Sequence, residues 1–136
     1  MGGKYIQSTR DRPARAENEI LISARVGIRQ YLEQANTIFQ SGKAAILKGS
    51  GNAMGNAIRV SEMLRNGVAG LHAINRFYAQ EIETHFEPRE QGLDPIDQKR
   101  RVPSVEISLS LNQLDANDVG YQAPVSAENV VPLTFN

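Results

Sequence analysis

The sequence predicts an α/β fold in which two helices cover one face of a mixed four-stranded sheet, with the element order β-α-β-α-β-β. Three observations indicate this order. Two stretches have apolar residues at helical spacing, a short apolar segment precedes each of them, and a late segment alternates apolar and polar residues as a strand does. The 136 residues suffice for one domain with a substantial core and are too few for two ordinary domains.

The first half of the chain predicts a strand, a helix and a second strand. Residues 18–24 are apolar and β-branched, as in a buried strand, and residues 43–48 form a second such segment. Between them, apolar side chains recur every three or four residues, at Ile28, Tyr31, Leu32, Ala35, Ile38 and Phe39. Gly42 is a suitable stop signal for this helix. Because a crossover helix joins parallel strands, we expect these two strands to be parallel.

The stretch at residues 44–66 connects the second strand to a second helix. Arg59, Glu62 and Arg65 are expected to face water from this helix. Its apolar face is broad enough for both the core and a partner subunit, and consists of Ala53, Met54, Ala57, Ile58, Val60, Ser61, Met63 and Leu64. Gly55 within the helix costs up to about 1 kcal/mol relative to alanine, so we expect another backbone to pack closely against it.

The glycine turn before this helix is a candidate phosphate site. Gly49 and Gly51 flank Ser50, and Asn52 stands at the start of the helix. A helix N-terminus presents unpaired N–H groups and the positive end of the dipole, so these groups could hold a phosphate together with Lys48, Ser50 and Asn52. A tight connection that binds nothing is the alternative interpretation. The GK[ST] ending of a nucleotide-binding P-loop is absent.

The second half of the chain predicts two more strands. Residues 71–86 have an imperfect strand pattern, which a bulge or a strand buried on both faces would explain. Residues 87–99 contain two prolines and a glycine and predict a long exposed loop. The clearest strand follows, because polar residues alternate there with Val105, Ile107, Leu109 and Leu111.

Two flanking segments are predicted to be flexible. Residues 1–17 form a polar and basic N-terminal tail, and residues 113–136 form an acidic C-terminal tail. The folded domain is therefore predicted at residues 18–112. Four apolar residues of the C-terminal tail could nonetheless dock on the domain or on a partner, namely Val130, Val131, Leu133 and Phe135.

Positive charge is concentrated in patches, although the formal net charge is zero. Two clusters contain Lys4, Arg10, Arg12 and Arg15 and, later, Lys99, Arg100 and Arg101. The overall balance argues against a protein that coats DNA through its net charge, whereas the patches favour contact with a polyanion. A solvated charged surface is the alternative interpretation of each cluster.

The sequence favours a protein that is not an enzyme and needs no cofactor. There is no cysteine, and the two histidines lack the HExxH spacing, so no metal site is expected. No nucleophile and base pattern of a nuclease or deaminase is evident. Since no apolar run approaches membrane-spanning length and no secretory segment begins the chain, we expect a soluble intracellular protein.

Four segments between residues 18 and 112 carry a family resemblance. They are EILISARVGIRQYL, KGSGNAMGNAIRVSEML, FEPREQGLD and QKRRVPSVEISLSL. In this order they resemble the Alba family of small dimeric nucleic-acid-binding proteins, and specifically its short eukaryotic branch found in protists and plants. The resemblance implies an Alba-type two-layer sandwich and a homodimer or a heterodimer with another Alba-type chain.

The resemblance also implies a function. We expect RNA to be favoured over DNA as the ligand, and a role in mRNA handling, stability or translation, in the cytoplasm and secondarily in the nucleus. The loop before the first helix, the glycine turn and paired β-arms would bind the nucleic acid with little reading of bases. The resemblance carries such contacts over to Arg25, Lys48, Ser50, Asn52, Arg100 and Arg101. With their neighbours, the predicted nucleic-acid-binding residues are Arg25, Arg29, Lys48, Ser50, Gly51, Asn52, Lys99, Arg100 and Arg101.

The chain differs from archaeal Alba proteins in having fewer cations at these positions. Residues 24–27 replace a lysine pair with a single arginine, Arg25, and Ser50 and Asn52 stand where arginines surround the turn glycine. We therefore expect weaker binding that depends less steeply on salt. Phe77 or Tyr78 would stack a base if exposed, and core packing is the more common fate of such residues.

A second hypothesis concerns assembly. The chain would then be a heterodimeric scaffold subunit of a ribonucleoprotein or chromatin complex, and its partner would supply most nucleic-acid contacts. The zero net charge supports this alternative.

Overall fold

The computed structural model describes residues 5–9, 16–88, 92 and 96–133. The helices are α1 (Ile28–Gln40) and α2 (Met54–Gly67), and a 3₁₀ turn, Gly51–Ala53, precedes α2. The strands are β1 (Tyr5–Thr9), β2 (Glu19–Leu21), β3 (Ala45–Ser50), β4 (His72–Pro88), β5 (Ile96–Ser110) and β6 (Tyr121–Gln122). In the described part of the chain, neither helix has the length and apolar character needed to cross a membrane.

The strands form one mixed sheet in the order β1-β4-β5-β3-β2, and β6 pairs with β4. As the sequence predicts, β2 and β3 are parallel. β4 and β5 form a long antiparallel pair, whereas β3 accompanies β5 only as far as Ser50, opposite Ser104. Beyond that point residues 79–88 and 96–103 continue as an arm, and β1 pairs with β4 along its outer part.

Both helices pack against one face of the sheet, which we call the inner face. Alternate residues of β3 and β5 point to it and are buried, namely Ala45, Leu47, Val105, Ile107 and Leu109. The helices contribute Tyr31, Leu32, Ala35, Phe39, Ala57, Val60 and Leu64 to the same cluster. Each large apolar side chain buried in this way stabilises the fold by about 1.5–3 kcal/mol. The predicted α/β sandwich with two helices on one face is confirmed.

The sheet has more strands than the four that the sequence predicts. One extra strand, β1, lies within the segment predicted as a flexible N-terminal tail, and β6 lies within the predicted C-terminal tail. β5 pairs with one edge of β4, and both extra strands pair with the other edge. Backbone groups on both edges of β4 therefore find partners. The boundaries at residues 18 and 112 stay predictions, and Phe135 lies outside the described residues.

The loop predicted at residues 87–99 is shorter in the structure. β4 continues to Pro88 and β5 already begins at Ile96, so the basic cluster at residues 99–101 lies within a strand. The long register between β4 and β5 carries the pairing through to Phe86 and Ile96. Cross-strand pairing therefore extends both strands into a segment whose prolines and glycine predict a loop.

Residues 113–133, which we call the C-terminal strap, lie against the domain. The Asn75 N–H donates to the Gly120 carbonyl at 2.9 Å, and the Asn75 side-chain amide donates to Gln122 Oε1 at 2.9 Å. His72 Nδ1 and the Tyr121 hydroxyl are 2.7 Å apart. Further along, the Val131 N–H donates to the Asn66 carbonyl at 2.9 Å. These contacts replace the flexible tail predicted for this segment.

The strap also changes the surroundings of α2. Arg65, predicted to face water, has a side chain that is only 12% exposed, and it bonds to Glu62 at 2.9 Å and to the Ala123 carbonyl at 3.4 Å. Leu133 covers the backbone of Gly67. The close neighbour predicted for Gly55 is absent among the described residues, since a Cβ there would meet no heavy atom within 4 Å.

Replacing Gly120 should detach the strap, because a Cβ at this position would overlap the Asn75 carbonyl oxygen. We expect Gly120→Ala to accelerate hydrogen exchange of the Asn75 N–H about tenfold, as the loss of one sheet hydrogen bond and its neighbours predicts. The control is Gly55→Ala, which should leave this exchange rate unchanged and stabilise α2 by up to about 1 kcal/mol. Equal exchange rates in both variants would contradict a docked strap.

Acid should weaken the strap through Asp118. The Gly120 N–H, 2.9 Å from Asp118 Oδ1, lowers the pKa of this carboxyl, and the Arg76 guanidinium lowers it further. A lowered pKa contributes stability above the unfolded pKa of about 3.9, and this contribution is lost as pH falls through the folded pKa. The amide resonance of Gly120 should titrate with a midpoint below 3.8, and not at all in Asp118→Asn. A midpoint above 4 in the unmodified protein would contradict this assignment.

Candidate nucleic-acid interface

The loop between β2 and α1 presents Arg25 to solvent. The Ile22 N–H donates to the Lys48 carbonyl at 2.8 Å and the Ser23 N–H donates to the Tyr31 hydroxyl at 2.8 Å, so the start of the loop is tied to both β3 and α1. The Arg25 N–H donates to Ser23 Oγ at 3.2 Å. Because β2 and β3 are parallel, this loop and the glycine turn emerge at the same end of the sheet.

The glycine turn requires both of its glycines. A Cβ on Gly49 would lie 2.9 Å from the Ala53 carbonyl oxygen and 2.9 Å from Ala57 Cβ, which is too close for any other residue. Gly51 has φ +55°, in the region that favours glycine. Asn52 lies in the 3₁₀ turn and is exposed, and no side chain caps the first N–H groups of this helical segment.

The sequence predicts that Ser50 contacts a phosphate, but in the structure its side chain bonds to other residues of the protein. Its hydroxyl lies 2.8 Å from Ser104 Oγ and donates to Gln80 Oε1 at 3.1 Å. Ser104 is 1% exposed and sits opposite Ser50 in the sheet. Side-chain bonds therefore connect the glycine turn to both strands where the arm begins. We call Ser50, Gln80 and Ser104 the hydroxyl-amide cluster.

The loop and the arm meet at the same turn. The Asn56 side-chain amide donates to the Ser23 carbonyl at 3.3 Å, which ties the first turn of α2 to the Arg25 loop. On the other side, a Cβ on Gly51 would lie 3.5 Å from Val102 of the arm. Sequence patterns do not identify Asn56, Gln80 or Ser104, because each is an ordinary polar residue at an exposed-looking position of a helix or strand.

Two predicted cations are engaged by acidic neighbours. Lys48 Nζ lies 3.3 Å from Glu19 Oε1 on the outer face of the sheet, opposite the helices. Arg29, in the first turn of α1, bonds to Glu33 at 3.2 Å. Both pairs reduce the positive charge that these residues can offer to a phosphate. Lys48 therefore contributes less positive charge to the glycine turn than its position in the sequence indicates.

The basic cluster of the arm is divided between two faces. Successive residues of a strand point to opposite sides, so Arg100 lies on the outer face with the hydroxyl-amide cluster, whereas Lys99 and Arg101 lie on the inner side. Lys99 is in register with Glu83, and Arg101 with Glu81. Opposite charges at such positions attract each other. Arg100 is opposite Ile82 and has no acidic residue in register on β4.

Phe77 and Tyr78 of β4 are exposed, not packed in the core. Phe77 is 66% exposed on the inner side, beyond the area that the helices cover, and Tyr78 is 41% exposed on the outer face. The condition under which either could stack a base is therefore met. Among the described residues, no three histidine, aspartate or glutamate side chains gather as a metal site.

Comparisons with known proteins identify the family. The family model described as Alba matches residues 18–81. The Ribonuclease P protein subunit p25-like protein of Homo sapiens is 36% identical over 86 residues, which cover 62% of this chain and 53% of that protein. Its Bos taurus counterpart is 31% identical over 118 residues, 84% of this chain and 72% of that protein.

A parasite protein and a solved structure extend the comparison. DNA/RNA-binding protein ALBA1 of Plasmodium falciparum is 29% identical over 127 residues, 92% of this chain and 51% of that protein. The chain thus spans about half the length of the human and Plasmodium relatives. The structure of Alba from Thermoplasma volcanium, 20% identical, has a TM-score of 0.52 and covers 68% of this chain and 99% of that chain. This likeness shows the fold alone.

Removing one hydroxyl from the hydroxyl-amide cluster should destabilise the base of the arm. Ser104→Ala leaves Ser50 and Gln80 with one partner fewer, and we expect a loss of about 1 kcal/mol in the free energy of unfolding. Ser108→Ala on the same strand is the matched control, with a change within about 0.5 kcal/mol. Urea unfolding measures the free energy of unfolding of both variants. Equal stability of the two variants would show that the cluster does not hold the arm.

Proposed function

This chain belongs to the Alba family, and we propose that it binds nucleic acid as a dimer and favours RNA over duplex DNA. The observation that carries the proposal is the meeting of three segments at one end of the sheet. Hydrogen bonds and close contacts join the Arg25 loop, the glycine turn and the base of the arm. Together they offer exposed cations and uncapped N–H groups to one phosphate backbone.

The three segments have different roles in the proposed complex. Arg25 and Arg100 supply charge, and the N–H groups of Gly51 and Asn52 donate hydrogen bonds to a phosphate at the start of the helical segment. Ser50 acts through the hydroxyl-amide cluster, so it orients the turn without touching the ligand. Because Lys48, Arg29, Lys99 and Arg101 face acidic residues, we expect few released counterions and a shallow dependence on salt.

The proposed ligand and role also draw on the relatives. The human relative is named as a Ribonuclease P subunit p25-like protein, and the Plasmodium relative as a DNA/RNA-binding protein. They support RNA as the ligand, and we propose a role in mRNA handling, stability or translation, in the cytoplasm and secondarily in the nucleus. We propose no catalytic activity, since recognition of a phosphate backbone accounts for the arrangement without one.

The dimer is supported by apolar residues that the fold leaves exposed. Ile58 and Met63 on α2 and Phe77 on β4 are large and accessible to solvent. Their burial against a second Alba-type chain would remove apolar area from water. A two-fold dimer would align two copies of the interface along one nucleic acid.

A second candidate function is a heterodimeric subunit of a ribonucleoprotein whose partner makes most of the nucleic-acid contacts. The zero net charge and the p25-like subunit names favour it. Under this alternative the isolated chain binds RNA poorly at low salt and gains affinity with a related partner chain.

Charge reversal tests the proposed interface. Arg25→Glu and Arg100→Glu should each weaken RNA binding and reduce the slope of log affinity against log salt by about 1 per lost phosphate contact. The matched control is Lys43→Glu, because Lys43 is exposed at the opposite end of β3 and pairs with Glu17 at 3.2 Å. Affinity is measured over a salt series with single-stranded RNA, duplex RNA and duplex DNA.

The controls separate the two functions. If Arg25→Glu and Arg100→Glu bind as tightly as Lys43→Glu, the interface is wrong. If the unmodified protein binds no RNA at low salt, the heterodimeric alternative takes its place.

A further inference from the structure

A groove runs along the edge of β4, between this strand and the strap. It is lined by Arg76, Tyr78 and Glu106 of the outer face, by Asn75 and Phe77 of the inner side, and by residues 118–122 of the strap. The strap forms one wall, because Asp118 and Gly120 bond to Arg76 and Asn75. The archaeal Alba structure matches only 68% of this chain, so about a third of the chain has no counterpart there.

The groove lies close to the proposed phosphate contacts. Tyr78, Ser104 and Ser50 occupy one row across three neighbouring strands. Since neighbouring strands are about 4.8 Å apart, Tyr78 is roughly 10 Å from the glycine turn. A single nucleotide strand held at the turn could place one of its bases in the groove.

The charges of the groove suit a neutral ligand. Arg76 bonds to Asp118 at 3.4 Å, and Lys48 lies 3.3 Å from Glu19. Glu106 is in register with both Lys48 and Arg76. The three acidic residues outnumber the two cations, so a phosphate gains nothing here. A planar uncharged group is not repelled by this negative charge and can bury apolar area against an aromatic ring.

We propose that this groove binds one unpaired base of the RNA, with Tyr78 as the stacking surface; the proposal rests on the RNA binding proposed above. Tyr78 is 41% exposed, and its ring supplies the π-face that every base can stack on. The Glu106 carboxylate can only accept hydrogen bonds, so it favours a base edge with N–H donors. Guanine, with two adjacent donors, suits this carboxylate better than uracil, with one.

The groove would make the protein select single strands. Bases in a duplex are paired along their edges and stacked on each other, so none can enter the groove without being extruded. The phosphate contacts alone do not distinguish single-stranded RNA from duplex RNA by the accessibility of its bases. Single-stranded RNA should therefore bind more tightly than duplex RNA of equal length because of Tyr78.

The test compares Tyr78→Ala with Tyr78→Phe, which keeps the ring and removes only the hydroxyl. The probes are a twelve-nucleotide single strand of mixed G and A, an oligouridine of the same length, and a duplex of the first sequence. We expect Tyr78→Ala to weaken binding of the single strand tenfold or more, as stacking energies predict, and to leave duplex binding and the salt slope unchanged. Tyr78→Phe should bind as the unmodified protein does.

A second variant tests the groove without touching its ring. Glu106→Gln should reduce the preference for the strand of G and A over oligouridine, and sedimentation should show an unchanged assembly state in both Glu106→Gln and Tyr78→Ala. Equal losses for single strand and duplex in Tyr78→Ala, or no loss, would overturn the base site while the RNA-binding function stands. A changed assembly state would instead make Tyr78 a contact between protein chains and would equally overturn the site. If the unmodified protein binds no RNA, both proposals fall.

Discussion

The close approach of β3 and α2 at Gly49 is the constraint on which the rest of the candidate interface depends. A Cβ there would lie 2.9 Å from both the Ala53 carbonyl oxygen and Ala57 Cβ, so the helical segment can begin this close to the strand only above a glycine. This contact brings the uncapped N–H groups of the 3₁₀ turn to the end of the sheet where the Arg25 loop and the arm also emerge. The hydroxyl-amide cluster and Asn56 then hold these neighbours in place.

Among the described residues, charge is distributed so that few cations lack an acidic neighbour. The row across the outer face alternates in sign from Lys48 to Glu106 to Arg76, and Asp118 of the strap continues it. The arm likewise sets Lys99 and Arg101 opposite glutamates. Such a surface offers a polyanion a small number of oriented cations and no bulk positive charge, which agrees with a chain of zero net charge.

The sequence predicts those parts of the fold that depend on local periodicity. Both helices, the parallel pair and the strand at Val105 follow from spacing alone, and the motifs around Gly49 and Arg25 identify two segments of the candidate site. Contacts between distant segments were not predictable. Ser50 meets Ser104 across 54 residues of chain, Arg65 is covered by the strap, and Tyr78 is exposed because no helix covers the outer face. None of these has a signal in local composition.

The most direct measurement of the central claim is an RNA titration followed through the backbone amide resonances of the labelled protein. If the three segments form one interface, the resonances of residues 23–27, 50–53 and 99–103 shift together with a single apparent affinity, and those around Lys43 at the far end of β3 stay in place. Shifts confined to one segment, or shifts that fit different affinities for the loop, the turn and the arm, would contradict a single interface.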